Sequence, residues 1–277
     1  MSRGMSLHIG LNGVDPEHYQ WDGALAACEY DATDMEAIAA SLGYKPRTLL
    51  LTKAATSRKV IAAIKKAAKT LVAGDTFLVT YAGHGGQVPD TNGDEAKKDP
   101  DERGEYADQY DETWLLYDRE LIDDELYALW AGFAPKVRII VLSDSCHSGT
   151  ITRDRPKSID PLPSRRMPAQ RAKEVYEAHQ KLYDGIQRKT PSRDAKSIKA
   201  SVILISGCLD NQTSGDGDRN GRFTGQLKTV WGNGTFVGSL PRLHKAILNG
   251  MPPFQTPNYY TIGAKDAAVT SKPAFQI

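Results

Sequence analysis

The strongest constraint in this chain is a pair of apolar runs that each stop on reactive residues. Val137-Arg138-Ile139-Ile140-Val141-Leu142 has the length and composition of a buried strand and passes directly into Ser143-Asp144-Ser145-Cys146-His147-Ser148-Gly149. Phe77-Leu78-Val79-Thr80-Tyr81-Ala82 has the same form and ends in Gly83-His84-Gly85-Gly86. Buried strands of an α/β sheet release their chains at the carboxyl edge, where such sheets hold ligands. One Cys and one His therefore reach a common edge, among residues small enough for a peptide backbone to approach. A thiol becomes a useful nucleophile near neutral pH when an imidazole stands by to take its proton. Cys146 and His84 are accordingly read as the dyad of a cysteine peptidase.

The rest of the chain supplies further strands and the helices between them. Met5–Leu11 reads as a first strand and Gly23–Ser41 as a helix, with Leu25, Cys28, Ala32, Met35, Ile38 and Leu42 near one face. Arg47–Thr52 is a second strand, and Ser57 caps a helix whose Val60, Ile64, Ala67 and Leu71 recur at helical spacing. After the strand ending at His84 come a long acidic loop, a helix around Asp123–Ala131, and the strand ending at Cys146. Val202–Ser206 is another buried strand, followed by helices near Phe223–Trp231 and Ser239–Leu248 and a strand near Tyr259–Ile262. Strands alternating with helices predict an α/β fold with a mainly parallel sheet covered on both faces.

Charge is balanced overall, at +1 over 277 residues, but strongly segregated. Residues 89–125 hold fifteen Asp and Glu against four Lys and Arg, whereas residues 151–199 hold thirteen Lys and Arg against six acids. Three widely spaced cysteines make neither a disulfide framework nor a zinc pattern, and a thiol enzyme suits a reducing cytoplasm. No apolar run approaches the ~20 residues of a membrane span, and the first residues lack the layout of a signal peptide. The basic segment offers only Tyr176 and Tyr183 as stacking aromatics, so neither nucleic acid nor membrane is expected as a partner.

Tyr81-Ala82-Gly83-His84-Gly85 and Asp144-Ser145-Cys146-His147-Ser148-Gly149 resemble the two catalytic motifs of the caspase-like cysteine peptidases, and most of all those of the metacaspases and their bacterial relatives, the orthocaspases. Ile205-Ser206-Gly207-Cys208-Leu209-Asp210-Asn211-Gln212 and the spacing between motifs are similar to that family as well. The resemblance implies a three-layer α/β/α caspase-like sandwich. Residues 1–150 would be its larger catalytic region and 200–277 the smaller region completing the same domain, with 151–199 a flexible basic linker carrying an exposed helix near Ala172–Leu182. It also implies Cys146 as nucleophile, His84 as proton carrier, and the N–H groups of Gly85 and Cys146 as the oxyanion hole. His147 is assigned a structural role.

Substrate choice is expected to rest on Asp144 and Asp31. Asp144 lies two residues before Cys146 and so on its side of an extended chain, and Cys28-Glu29-Tyr30-Asp31 resembles the family's pocket-forming stretch, with Cys28 and Ser206 beside it. Two carboxylates there would select Arg or Lys before the cut bond; the alternative for Asp31 is a solvent-facing helix residue. The resemblance further suggests Ca²⁺ as an activator, with Asp108, Asp111, Asp123 and Asp124 as oxygen ligands, against the plainer reading of a solvated acidic loop. No cofactor is required for the chemistry. Asp216-Gly217-Asp218-Arg219-Asn220-Gly221 begins like an EF-hand loop, but Leu227 stands where the bidentate Glu is needed, so it is read as a Gly-rich turn near the substrate cleft. The linker's Arg and Lys residues make self-processing within 151–199 the expectation for a monomeric endopeptidase acting on proteins or peptides. The competing function is a catalytically silent caspase-like scaffold that acts by binding proteins.

Overall fold

Alternation along the central strands sorts the side chains into two layers. In the computed structural model, which describes residues 2–93, 109–146, 161–191, 195–209 and 212–277, the elements in chain order are β1 (Gly4–Gly10), α1 (Pro16–Tyr19), α2 (Cys28–Ser41), β2 (Arg47–Leu51), α3 (Ser57–Thr70), β3 (Thr76–Ala82), β4 (Gly85–Pro89), β5 (Tyr110–Leu115), β6 (Glu120–Ile122), α4 (Asp123–Ala131) and β7 (Arg138–Asp144). They continue with α5 (Ala169–Lys189), β8 (Ser201–Ser206), α6 (Arg222–Trp231), α7 (Leu240–Asn249), β9 (Asn258–Gly263) and α8 (Ala267–Ser271). Six strands form one sheet in the order β2-β1-β3-β7-β8-β9, parallel except for β9, which runs antiparallel to β8.

One face of this sheet presents Leu7, Ile9, Phe77, Val79, Ile139, Val141 and Val202 to α3 and α4. The other presents Leu78, Ile140, Leu142, Ile203 and Ile205 to α2, α6 and α7. Each fully buried aliphatic side chain in these layers contributes about 1.5–3 kcal/mol, and both faces of β1, β3 and β7 are buried along their whole length. That is why β3 and β7 read as nearly continuous apolar runs, whereas β1 alternates, with Ser6 and His8 buried on its second face.

Three features depart from the sequence reading. The acidic stretch after His84 is not simply a loop: β4, β5 and β6 form a separate antiparallel sheet, whose polar, Gly-containing strands lack the apolar signature of the central ones. Helix α2 begins at Cys28 rather than near Gly23, because Gly23 takes a left-handed φ of 56° and the N–H groups of Ala26 and Ala27 bond to the Asp216 carboxylate instead of entering a helix. The linker helix, α5, is longer than expected and buries one face: Val175 and Tyr183 pack with Tyr19, Val88, Leu115 and Ile122 in a third apolar cluster. His18 secures it, stacking on His179 at 4.0 Å and bonding the Tyr183 hydroxyl at 2.8 Å.

Candidate active site

Register brings the two reactive residues level with each other. Ala82 of β3 pairs with Asp144 of β7, and His84 and Cys146 each lie two residues further along adjacent parallel strands. The turn carrying His84 is fixed by Tyr81, whose hydroxyl donates to the His84 carbonyl at 2.6 Å and lies 3.0 Å from the Leu115 carbonyl while its ring stacks on Trp114. A Cβ at Gly83 would come within 2.6 Å of that hydroxyl, so the turn requires glycine.

The His84 ring packs against Trp21, and its Nε2 lies 3.1 Å from the Gly23 carbonyl. A carbonyl only accepts, so Nε2 carries the proton and Nδ1 is left as the basic nitrogen. Nδ1 has no hydrogen-bond partner among the described residues. Burial holds the imidazole pKa down, to about 4, so the ring is neutral at pH 7. The Cys146 thiol is not bonded to His84; its Sγ accepts from the Ser214 backbone N–H and lies 3.8 Å from the Ser214 carbonyl.

The residue that organises the site is Arg165, from the stretch before α5. Its carbonyl oxygen accepts from the N–H of Gly85 at 3.1 Å and the N–H of Cys146 at 3.2 Å. Its own N–H donates to the Ser214 carbonyl at 3.0 Å, the Asp216 N–H donates to the Pro163 carbonyl at 2.8 Å, and Ser164 bridges Gly215 in antiparallel fashion. On the other side Met167 N–H donates to the Gly85 carbonyl at 2.9 Å. Residues 163–167 thus lie extended across the sheet's carboxyl edge, held on both sides by main-chain bonds of the kind that add a strand to a sheet.

The Arg165 guanidinium is fully buried among three carboxylates. Nη2 lies 2.5 Å from Asp31 Oδ2 and 2.9 Å from Asp216 Oδ1, Nη1 lies 3.0 Å from Asp144 Oδ2 and 3.2 Å from the Asp144 carbonyl, and Nε lies 3.1 Å from Asp216 Oδ1. Each acid is oriented by further donors. Asp31 accepts from Asn220 Nδ2 and the Gly221 N–H, Asp144 from the Ser214 hydroxyl and from the N–H and hydroxyl of Thr224, and Asp216 from Ala26 and Ala27. Burial raises the Asp31 pKa to about 7, with Arg165 opposing and Asp144 adding to the shift. Asp31 therefore does not face water on its helix. Cys28 touches this cluster through Asp216 at 3.9 Å; burial pushes its thiol well above the ordinary range, which keeps it protonated.

Ser206 is not brought to this pocket. It shares the parity of Val202 and Leu204 on β8, so it faces the layer of α4, beside Trp114 and Tyr260, while the pocket opens on the face of Thr80 and Leu142. Its hydroxyl donates to the Cys208 carbonyl instead. Arg165, Ser214 and Asp216 were not singled out as site residues from the sequence. The signal available for Asp216 was an acid in a Gly-rich turn following a strand that ends at the same sheet edge. Away from this pocket, Asp111, Asp123 and Asp124 each offer a carboxylate oxygen, all within 4.8 Å of one another. Asp108 and His147 lie outside the described residues. Among the described residues no helix is long and apolar enough to cross a membrane.

The sequence matches the family model of the caspase domain over residues 9–267, so the chain belongs to that family, the caspase-like cysteine peptidases of the metacaspase group. It is similar to Metacaspase-1 of Scheffersomyces stipitis, 29% identical over 73% of this chain and 54% of that protein. Metacaspase-1 of Cryptococcus neoformans is 30% identical over 80% of this chain and 53% of that protein. The chain thus spans little more than half the length of these curated relatives. A crystal structure of a Geobacter sulfurreducens protein is 51% identical, covers 98% of this chain and 97% of its own, and superposes with a TM-score of 0.86. Caspase-1 of Spodoptera frugiperda shares the fold at 12% identity and a TM-score of 0.53, over 99% of this chain and 90% of its own.

Proposed function

We propose that the protein is a cysteine endopeptidase that cleaves after a basic residue, and that its first substrate is its own Arg165–Arg166 bond. The observation that carries this reading is the seating of Arg165. Its side chain is matched by three carboxylates while its carbonyl accepts from the Gly85 and Cys146 N–H groups, the arrangement expected of a substrate whose oxyanion will form between two backbone donors. Each such donor is worth about 2.7–4 kcal/mol to a tetrahedral intermediate.

In this mechanism the Cys146 thiol gives its proton to Nδ1 of His84 and its sulfur attacks the Arg165 carbonyl carbon. The tetrahedral oxyanion collapses as the C–N bond to Arg166 breaks, and the imidazolium donates its proton to the leaving amine. Water, deprotonated by His84, then adds to the thioester and releases the Arg165 carboxylate and the Cys146 thiol. Because Sγ rests against Ser214 before reaction, a rotation toward His84 precedes attack. Once residues 161–165 leave, the emptied pocket accepts Arg- or Lys-bearing proteins and peptides. A monomer acting in a reducing compartment suffices, residues 151–199 being the processed linker between the larger and smaller regions.

The experiment is hydrolysis of fluorogenic peptides ending in Arg, Lys or Asp by the self-processed protein, with Cys146→Ala as the blank. Cleavage after a basic residue, absent in the blank, is expected. Cleavage after Asp overturns the pocket assignment, and no cleavage with an unalkylatable Cys146 favours a silent scaffold.

A Ca²⁺ site is proposed at Asp111, Asp123 and Asp124. The donor set fits: three hard carboxylate oxygens gather within 4.8 Å near the start of β5 and the start of α4, and Ca²⁺ takes six to eight oxygens, the rest from backbone and water. When bound, Ca²⁺ would act as a structural ion in the region of β5 and α4, with no part in the bond-breaking steps. Asn92 Nδ2 donates to Asp124 Oδ2 at 2.6 Å, and the adjoining Thr91 N–H donates to Gln187 of α5 at 2.7 Å, which connects the cluster to the linker helix.

A further inference from the structure

We infer that Asp216 is the residue that makes this pocket select arginine over lysine, an inference that rests on the peptidase reading above. The two functional groups differ in shape as well as size. Arginine presents five N–H donors in a planar fork, one of them on Nε, whereas lysine ends in a compact ammonium with no donor along its stem. Asp216 Oδ1 reads the part that lysine lacks: it accepts from Nε at 3.1 Å and from Nη2 at 2.9 Å, along one edge of the guanidinium. Asp31 and Asp144 take the outer nitrogens, Nη2 and Nη1.

A lysine at this position would bring its single nitrogen to about the place of Cζ. Each outer nitrogen lies about 1.3 Å beyond that point, so the ammonium would fall short of Asp31 and Asp144 while leaving the Nε-reading oxygen without its donor. The acids are not free to follow it. Asp216 is held by the N–H groups of Ala26, at 2.7 Å, and Ala27, at 3.3 Å, and Asp144 by Ser214 and Thr224. A buried carboxylate fixed for a donor that does not arrive loses its compensation for desolvation, the situation in which sites reject an analogue most strongly.

A second observation points the same way. An ideal Cβ at Gly221 would lie 2.5 Å from both Cζ and Nη1 of Arg165 and 2.6 Å from Nη2. Near-equal distances to three atoms of one planar group put that position over its flat face. Gly221 therefore leaves a slot for a plane, and its backbone φ of −59° is open to any residue, so the glycine serves space and not conformation.

The test uses the full-length chain and reads self-cleavage by intact mass. Arg165→Lys is expected to be cut about 100-fold more slowly than the wild type, and the ratio is expected to shrink below about 10-fold when both forms carry Asp216→Asn. Peptides ending in Arg and Lys, given to the self-processed wild type, read the same preference without any substitution in the pocket and cover the case in which Asp216→Asn does not fold. Cleavage of Arg165→Lys at the wild-type rate, or equal kcat/KM for the two peptides, overturns the selectivity and leaves the peptidase standing. A ratio unchanged by Asp216→Asn in a folded protein assigns selection elsewhere and overturns the role of Asp216. Failure to cut the wild-type chain or either peptide removes the peptidase reading, and this inference with it.

Discussion

Among the described residues, two clusters of three carboxylates are built in different ways. Asp31, Asp144 and Asp216 come from a helix, a strand end and a turn separated by more than seventy residues, and converge on one guanidinium. Asp111, Asp123 and Asp124 come from β5 and the first turn of α4, within fourteen residues of sequence. In the first cluster neutral donors orient every acid, so the anions present a fixed, planar pattern suited to a fork. In the second the acids gather around a point, as suits a spherical ion. The first arrangement matches a shape; the proposed Ca²⁺ site would match a charge.

Removing an acid from the first cluster is expected to have the largest effect. Asp144→Asn leaves Arg165 short of a buried counter-charge, a loss of about 3–5 kcal/mol, and self-cleavage should fall roughly 10²–10⁴-fold while Cys146 remains alkylatable. Equal loss of alkylation would mean that Asp144 shapes the strand end and not the pocket. Gly221→Ala tests the planar slot, with self-cleavage down by about ten-fold or more and thermal stability of the Arg165→Ala form little changed.

The pH dependence comes next. The raised pKa of Asp31, about 7, means that its charge is gained as pH rises through that value, whereas His84, held near 4, is already neutral there. Self-cleavage should therefore climb between about pH 6 and 8, and Asp31→Asn should abolish that limb at a lower overall rate. A limb near pH 4 alone would assign control to His84. For the second cluster, Asp124→Asn should weaken Ca²⁺ binding by about ten-fold in calorimetry without altering the Arg-to-Lys ratio. The smallest effect is expected from Lys228→Ala: this half-exposed lysine pairs with Asp34 and braces Asn220 behind Asp31, and exposed pairs contribute about 0–1 kcal/mol. Self-cleavage should change no more than a few-fold.

The same contrast explains what was legible in the sequence. Runs of apolar residues announced β3, β7 and β8, and α2 and α3 carried 3.6-residue periodicity, so the sheet, its parallel character and the placement of His84 and Cys146 at one edge could be read directly. The second acidic cluster was visible because its members are neighbours in the chain. The first was half visible. Asp31 and Asp144 are tied to recognisable stretches, but Asp216 sat in a turn that looked like a failed EF-hand, and nothing local distinguishes Arg165 from the twelve other basic residues of 151–199. Only tertiary structure brings that arginine across the sheet edge. The β4–β6 sheet was hidden because polar strands that pack beside α5 lack the alternation of a half-solvated sheet, and Ser206 lies away from the pocket because strand parity turns it to the layer of α4.

The most direct measurement is time-resolved intact mass analysis of the freshly purified chain beside its Cys146→Ala form. Expected are two fragments divided between Arg165 and Arg166, formed at a first-order rate independent of protein concentration and absent from the variant. Scission at another bond, or the same scission in Cys146→Ala, would contradict the assignment of Arg165 as the seated substrate.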